Sequence, residues 1–173
     1  AEAISPASSA KDSIVGARFR GLSGTLTATA ETNGLLGSTQ SSSTTYTITI
    51  NSNQTSSFTM SSSDVSAGVT AINAVSGSTG VTATATSDNL ILLQDADGDD
   101  VIVTNDSANT GLTLQAVARD QSTTSGTVQA LAATGGNDTS RLIGTLHLTA
   151  DSTFSLTQSG TSSLAYFATG TAI

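Results

Sequence analysis

Residues Ser61 to Thr104 read SSSDVSAGVTAINAVSGSTGVTATATSDNLILLQDADGDDVIVT, and the spacing of their apolar side chains changes twice. The first part has helical spacing, which places these residues on one face of a short helix: Val65, Val69, Ile72 and Val75. Ser63 or Asp64 is suited to cap its N-terminus, and Gly77 to take the left-handed conformation after its last turn. Gly68 weakens the helix by about 1 kcal/mol relative to Ala, so we expect the helix to form against a sheet.

The rest of the stretch predicts strands. Residues 81–85 alternate apolar and threonine side chains, the period of a half-buried strand, and Ser87-Asp88-Asn89 favours a turn after it. Two apolar runs follow, Leu90 to Leu93 and Val101 to Val103. A two-residue turn at Asp97-Gly98 would join them, so we predict that these two runs pair as a hairpin.

The segment before the helix predicts two more strands. Residues 44–50 point their aromatic and aliphatic side chains to one side and threonines to the other. Asn51 to Gln54 can reverse the chain, so that Phe58 and Met60 join the same apolar face. The predicted unit is therefore strand, strand, helix and three strands, closed by residues 112–117.

This pattern resembles a known family. A helix ending in AINA, a G-V-T-A-T-A strand and an apolar run broken by Asp-Gly are similar to the repeat inserted in bacterial flagellins and flagellar hook-associated proteins. The match covers Thr44 to Leu114, and the C-terminal SLAYFATGTAI resembles the strand that leads from flagellin outer domains back to the filament core. The resemblance implies an extracellular, surface-exposed outer domain of a bacterial flagellar filament subunit, whose partners are neighbouring subunits bound through the full-length protein.

The predicted fold class is mainly β with one short helix (α+β), in two small β-rich subdomains with antiparallel sheets. Residues 44–118 form an inserted ββαβββ domain, and residues 1–43 and 119–173 form a discontinuous β-rich base domain. SGTLTATAETN (23–33) and IGTLHLTADST (143–153) share an opening and an alternating body. They are either partners in one sheet or a coincidence in a Ser/Thr-rich background. Residues 1–12 are expected to be a linker, and residues 119–138 receive no assignment.

Composition restricts the function. The chain has 173 residues, 13 acidic against 5 basic side chains and a net charge of −8, so binding to nucleic acid or to an anionic membrane is not expected. The absence of cysteine excludes disulfides, thiolate catalysis and cysteine metal sites. No stretch shows the sustained apolar heptads through which flagellins polymerise. We therefore expect the middle part of a longer protein, monomeric as an isolated fragment.

The acidic residues around Gly98 and the single histidine are the candidates for a chemical site. We expect neither to bind a cofactor or to act in catalysis. Asp95, Asp97 and Asp99 alternate as in a calcium loop, but the position of Gly98 does not fit an EF-hand, so a solvated hairpin tip is preferred. His147 is the only histidine. Because no G-x-S-x-G motif accompanies it, we place it on the polar face of a strand and do not expect an enzyme.

Other residues leave alternatives open. Arg18 and Arg20 flank Phe19 and suit either a solvated strand face or contact with an anion or a neighbouring subunit. Asn-X-Ser/Thr triplets begin at Asn53, Asn105 and Asn137, and a Ser/Thr-rich chain produces such triplets by chance. The resemblance to flagellins implies O-linked sugars on exposed threonines rather than N-linked ones. The alternative function is an adhesin or hook-associated protein domain that binds a host glycan or protein, although few aromatic side chains are available to stack on sugars.

Overall fold

The computed structural model describes residues 17–20, 26–151 and 155–158. This part of the chain is mainly β with a short helix and a one-turn helix, and every strand pair of described register is antiparallel, which confirms the predicted fold class. The strands are β1 (Ala17–Arg20), β2 (Leu26–Ser38), β3 (Thr44–Tyr46), β4 (Ile48–Ile50), β5 (Asn53–Gln54), β6 (Phe58–Met60), β7 (Val81–Ala85), β8 (Ile91–Asp95), β9 (Val101–Asn105), β10 (Leu112–Val117), β11 (Thr124–Leu131), β12 (Thr139–Leu142), β13 (Thr145–Ala150) and β14 (Ser155–Gln158). The helices are α1 (Ser66–Ala74) and α2 (Ser76–Thr79).

The chain divides into two compact units. The terminal unit comprises residues 1–28 and 148–173, and in it β1 pairs with β14. The central unit is Thr29–His147. These boundaries differ from the predicted division at 43/44 and 118/119, because β2 and β12 hydrogen-bond to strands of the predicted insert. The predicted linker and the apolar segment Leu164–Phe167 lie outside the described residues.

A large sheet forms one layer of the central unit, with the strand order β11-β10-β2-β8-β7 and β13 paired to β2. β2 is central because both of its edges are hydrogen-bonded, one to β10 and the other to β8. The pairing of β2 with β13 confirms that the two related segments near opposite ends of the sequence are partners. The predicted turn at Ser87-Asp88-Asn89 joins β7 to β8, with Asn89 in the left-handed region at φ 56°.

A small sheet, with the order β12-β9-β4-β5, and a ribbon of β3 with β6 face the large sheet. Asn51 and Ser52 have φ of 46° and 69° and reverse the chain between β4 and β5, as predicted. Such consecutive positive φ angles match the twist of a tight hairpin. The chain then returns through the ribbon, where Phe58 pairs with Tyr46 and both rings are buried.

The predicted hairpin between the two apolar runs around Asp97-Gly98 is wrong. It required Leu93 to lie opposite Ile102, whereas Leu93 lies between Gly34 of β2 and Ala83 of β7. Both edges of β8 are therefore occupied within the large sheet, and β9 pairs instead with β4 and β12 of the small sheet. The loop at 96–100 is a crossover between two sheets.

The hydrophobic core lies between the two sheets, the ribbon and α1. Val65, Ile72 and Ile91 are among its buried side chains, and Val69 packs at its margin, as the helical spacing predicted. A Cβ at Gly68 would lie 2.8 Å from the Ile91 Cδ1 atom. The glycine that weakens the isolated helix therefore allows the helix to approach the sheet closely.

The ends of α1 differ in part from the prediction. Val65 occupies the capping position, but Asp64 accepts a hydrogen bond from the Ser66 amide at 3.0 Å. Gly77 does not end the helix in the left-handed conformation, because the chain continues into α2. Gly80, at φ 76°, takes that role.

Strand β11 occupies part of the region that the sequence leaves unassigned, and it pairs with β10. Its residues 124–130 are all exposed, and only Leu131 at its end is buried. A strand with solvent on both faces shows no apolar alternation, so periodicity could not reveal it.

The open edge of the large sheet at β7 is covered by the side chain of Asn73 on α1. Its Nδ2 atom donates to the Ala83 carbonyl and its Oδ1 atom accepts from the Ala83 amide, both at 2.8 Å. The Asn73 amide thus pairs with β7 as a neighbouring strand would, and protects an edge that could otherwise recruit another chain.

Replacing Asn73 with Ala should lower the free energy of unfolding by about 1 kcal/mol, because the Ala83 amide and carbonyl lose both partners. The exposed edge should also increase aggregation on heating. Urea unfolding and light scattering measure the two effects. The Thr70→Ala variant is the control, because the Thr70 hydroxyl that it removes bonds only to the Ser66 carbonyl of the same helix. Equal behaviour of the two variants would contradict the edge role of Asn73.

Candidate functional site

The acidic loop, residues 95–100, is organised around a buried carboxylate. The Asp95 side chain is 3% exposed, and its Oδ1 atom accepts hydrogen bonds from the Asp97 amide at 3.0 Å and the Asp99 amide at 3.2 Å. The Thr32 hydroxyl of β2 donates to the Asp99 carbonyl at 2.6 Å. The loop is therefore tied to the large sheet, and the predicted solvated hairpin tip is wrong for Asp95.

The three calcium candidates do not share one environment. Asp97 is exposed and Asp99 is half-buried, while Asp95 already binds two backbone amides. Burial raises the pKa of the Asp99 carboxyl, and the nearby carboxylates of Asp95, Asp97 and Asp100 raise it further. Across the described ranges, no three His, Asp or Glu side chains converge to hold a metal ion.

A shallow depression of about 550 Å³ lies between α1 and the ribbon. Its wall on α1 is formed by Ala67, Thr70, Ala71 and Ala74. The opposite wall comes from the ribbon and the segment before it: Thr45, Ser56, Ser57, Phe58 and Thr59. The depression forms because α1 carries only small side chains on the face beside the ribbon.

The depression presents hydroxyl groups and no charge. Two of these hydroxyls have partners: Ser57 Oγ lies 2.8 Å from Thr47 Oγ1, and Thr70 donates to the Ser66 carbonyl. Phe58 is only 5% exposed, so its ring offers no face on which a sugar could stack. The lining of the depression includes no acidic, basic or histidine side chain. The depression therefore suits at most a small neutral ligand held by hydroxyl contacts.

The other candidate residues lie on two different strands and in different units. His147 is exposed on β13 between half-buried Leu146 and Leu148, as the alternation predicted. Arg18 and Arg20 lie on β1 of the terminal unit, where they pair through the backbone with Thr157 and Ser155 of β14.

Among the acidic side chains of the described ranges only Asp95 is buried, and the others are exposed or half-buried. Asp120 is fully exposed, and hydrogen bonds from Thr123 and Ser122 lower its pKa to about 2. Arg141 forms an ion pair with Asp100 at 3.3 Å, and Arg119 with Glu31 at 3.6 Å. The central unit therefore presents an excess of negative charge to solvent.

Asn105, which begins one of the three Asn-X-Ser/Thr triplets, organises the turn between β11 and β12. It is fully buried, and its Nδ2 atom donates to the carbonyls of Asn109 at 2.9 Å and Ala132 at 2.7 Å. Its Oδ1 atom accepts from the Ser107 hydroxyl at 2.6 Å. Neither the triplet nor the position at the end of an apolar run, where a polar residue is ordinary, indicates that the Asn105 side chain is buried.

The chain matches no protein-family model and no curated protein. Within the described ranges, neither helix has the length and apolar character needed to span a bilayer.

Proposed function

We propose that this protein is the surface-exposed outer domain of a bacterial flagellar filament subunit. In this role it sets the charge, thickness and antigenicity of the filament surface, outside the cell, and does not polymerise by itself. Neighbouring subunits are its partners, and they contact it through the full-length protein. The proposal extends the resemblance of residues 44–114 to the flagellin insert repeat.

The observation that carries the proposal is the order of elements in that segment. Strands β3 to β6 precede α1 and α2, and β7 to β10 follow them, so the segment keeps the predicted succession of strands, helix and strands, with more elements than the predicted ββαβββ unit. The helix packs on the sheet through Val65 and Ile72, the residues that define the helical pattern in the sequence.

Two further features support a structural role. The acidic exterior of the central unit would keep densely packed outer domains soluble and apart, since like charges repel. The pairing of β2 with β13 brings together strands from the front and the back of the chain. An outer domain inserted into a longer subunit needs this proximity, because both of its connections return to one filament core.

The experiment uses antibodies raised against this chain to label intact flagella of the source bacterium for electron microscopy. Labelling along the whole filament is the expected result, because the domain lies on every flagellin subunit. Labelling confined to the hook or the tip would indicate a hook-associated protein. A strain that lacks the gene is the control. Unlabelled flagella, or filaments formed by the isolated chain in light scattering, would overturn the proposal.

The alternative, an adhesin domain that binds a host glycan or protein, is favoured by one observation. The hydroxyl-lined depression of about 550 Å³ has the size of a small-ligand site. A glycan array distinguishes the two functions. Saturable binding that is lost when Ala71→Leu fills the depression would favour the adhesin, whereas a passive outer domain binds no glycan.

A further inference from the structure

The three Asn-X-Ser/Thr triplets, which begin at Asn53, Asn105 and Asn137, differ in their surroundings. Such a triplet is an acceptor for N-linked glycans only where its asparagine and its hydroxyl residue are accessible to the transferring enzyme. In two triplets the asparagine or the hydroxyl side chain is buried, whereas in the third both of these side chains are exposed.

Asn105 cannot accept a glycan in the folded chain. Its side chain is 0% exposed, and both hydrogen atoms of its amide group are used, one by the Asn109 carbonyl and one by the Ala132 carbonyl. A glycan on the Asn105 Nδ2 atom would remove at least one of these hydrogen bonds. The buried position also leaves no room for a sugar. This triplet therefore has a structural role.

Asn53 is also constrained. Its Nδ2 atom donates to the Asn51 carbonyl at 3.0 Å and the Ser78 carbonyl at 3.3 Å, which ties the β4–β5 turn to α2. The hydroxyl residue of its triplet, Thr55, is 4% exposed and bonds to the Ile48 carbonyl. An enzyme cannot reach this hydroxyl without unfolding the strand.

The triplet at Asn137 differs from the other two in its asparagine side chain and in its hydroxyl residue. Asn137 is exposed in the turn between β11 and β12, and among the described residues its side-chain amide has no hydrogen-bond partner. Thr139, the hydroxyl residue of its triplet, is exposed as well, with its hydroxyl 2.9 Å from that of Thr104. Both recognition groups are therefore on the surface.

The turn that carries Asn137 is firmly held at its base. The Ala132 amide donates to the Asn137 carbonyl at 2.9 Å, and the Asn105 amide donates to the Asp138 carbonyl at 2.8 Å. Gly135 adopts φ 88° near the tip. The fold thus projects the Asn137 side chain outward while the backbone beneath it stays anchored, so a bulky substituent at Nδ2 displaces no buried group.

We propose that Asn137 is an attachment site for an N-linked glycan. The donor is an oligosaccharide linked to a lipid pyrophosphate. In the transfer, Asn137 Nδ2 forms a bond to the anomeric carbon, the bond from that carbon to the pyrophosphate oxygen breaks, and the lipid pyrophosphate leaves. The nitrogen loses one proton to a base of the enzyme, and nothing is oxidised or reduced.

The test incubates the purified folded chain with an oligosaccharyltransferase that recognises Asn-X-Ser/Thr and with its lipid-linked donor, and measures the intact mass. One glycan per chain is expected. Asn137→Gln and Thr139→Val should abolish the mass increase, whereas Thr139→Ser and Asn53→Gln should retain it. Synthetic peptides that span each of the three triplets are treated in parallel and should all be modified, which would show that the fold selects the site.

Three outcomes would overturn the proposal. The first is an unmodified folded chain alongside modified peptides, and the second is a failure of the Asn137 peptide itself. The third is a glycan that persists on the Asn137→Gln variant, which would place the acceptor elsewhere.

Discussion

Replacing Gly98 with Ala should lower the free energy of unfolding of the central unit by about 3 kcal/mol, from left-handed strain and overpacking together. Gly98 has φ 77°, a conformation that costs Ala about 1 kcal/mol. Its added Cβ would also overlap the Cβ atom of Ala30 and lie 2.9 Å from the Ala30 carbonyl carbon and 3.0 Å from the Glu31 nitrogen. Backbone atoms cannot rotate away as a side chain can, so the sheet or the loop must move.

The position of Gly98 in the crossover explains the size of this effect. Gly98 is buried against β2, and on its other side a Cβ at Gly144 would overlap the Gly98 carbonyl oxygen. Three backbone segments therefore meet with no intervening side chain. Movement of the loop would also disturb the hydrogen bond from Thr32 to Asp99.

Two other glycines separate the contributions of strain and overlap. Gly126 has φ 75° but no atom within 4 Å of its Cβ position, so Gly126→Ala should cost about 1 kcal/mol through conformation alone. Gly77 lies in α2 with no neighbour within 4 Å, so Gly77→Ala should be neutral or stabilise by about 0.5 kcal/mol. Urea unfolding monitored by circular dichroism gives all three values. A loss at Gly98 no larger than that at Gly126 would show that the close backbone contact is absent.

Asn105→Leu should destabilise the central unit by about 3 to 5 kcal/mol, because each buried polar group left without a partner costs about 1 to 3 kcal/mol. The Ala132 carbonyl and the Ser107 amide lose their partners, and the Asn109 carbonyl keeps only the longer bond from the Ser107 hydroxyl at 3.3 Å. The similar volume of leucine leaves little cavity, so the effect reports the polar groups.

Asn105→Asp tests the direction of these hydrogen bonds through pH. A carboxylate at this position would face the Asn109 and Ala132 carbonyls, both acceptors, in a fully buried site. Burial and these acceptors would raise its folded-state pKa above the unfolded value of about 3.9. The variant should therefore be most stable below pH of about 4 relative to the wild type, and should lose stability as the pH rises through the folded-state pKa.

Asn137→Ala is the matched control for both variants, because Asn137 is an exposed asparagine on the turn that Asn105 anchors. Its effect on the free energy of unfolding should stay within about 0.5 kcal/mol. A small, pH-independent effect at Asn105 would mean that the buried amide network does not hold the turn.

At the candidate sites, the local sequence pattern predicted the exposure of some side chains and not of others. The alternation around His147 placed its side chain correctly on an exposed strand position. In the acidic loop, the burial of Asp95 was missed. An aspartate that accepts hydrogen bonds from backbone amides two and four residues later has the same sequence appearance as a solvated one.

The strand character of residues 44–50, 58–60, 81–85 and 90–93, the helix between them and the turns at Asn51 and Asn89 were predicted from the sequence alone, because apolar period and turn residues act over a few positions. The division of residues 44–50 into β3 of the ribbon and β4 of the small sheet was not predicted. Only the tertiary structure decided which strands pair. β8 takes β2 and β7 as neighbours, which leaves β9 to the small sheet. That choice depends on competition for hydrogen-bonding edges between segments far apart in the chain, and so do the burial of Asp95 and Asn105 and the exposure of Asn137.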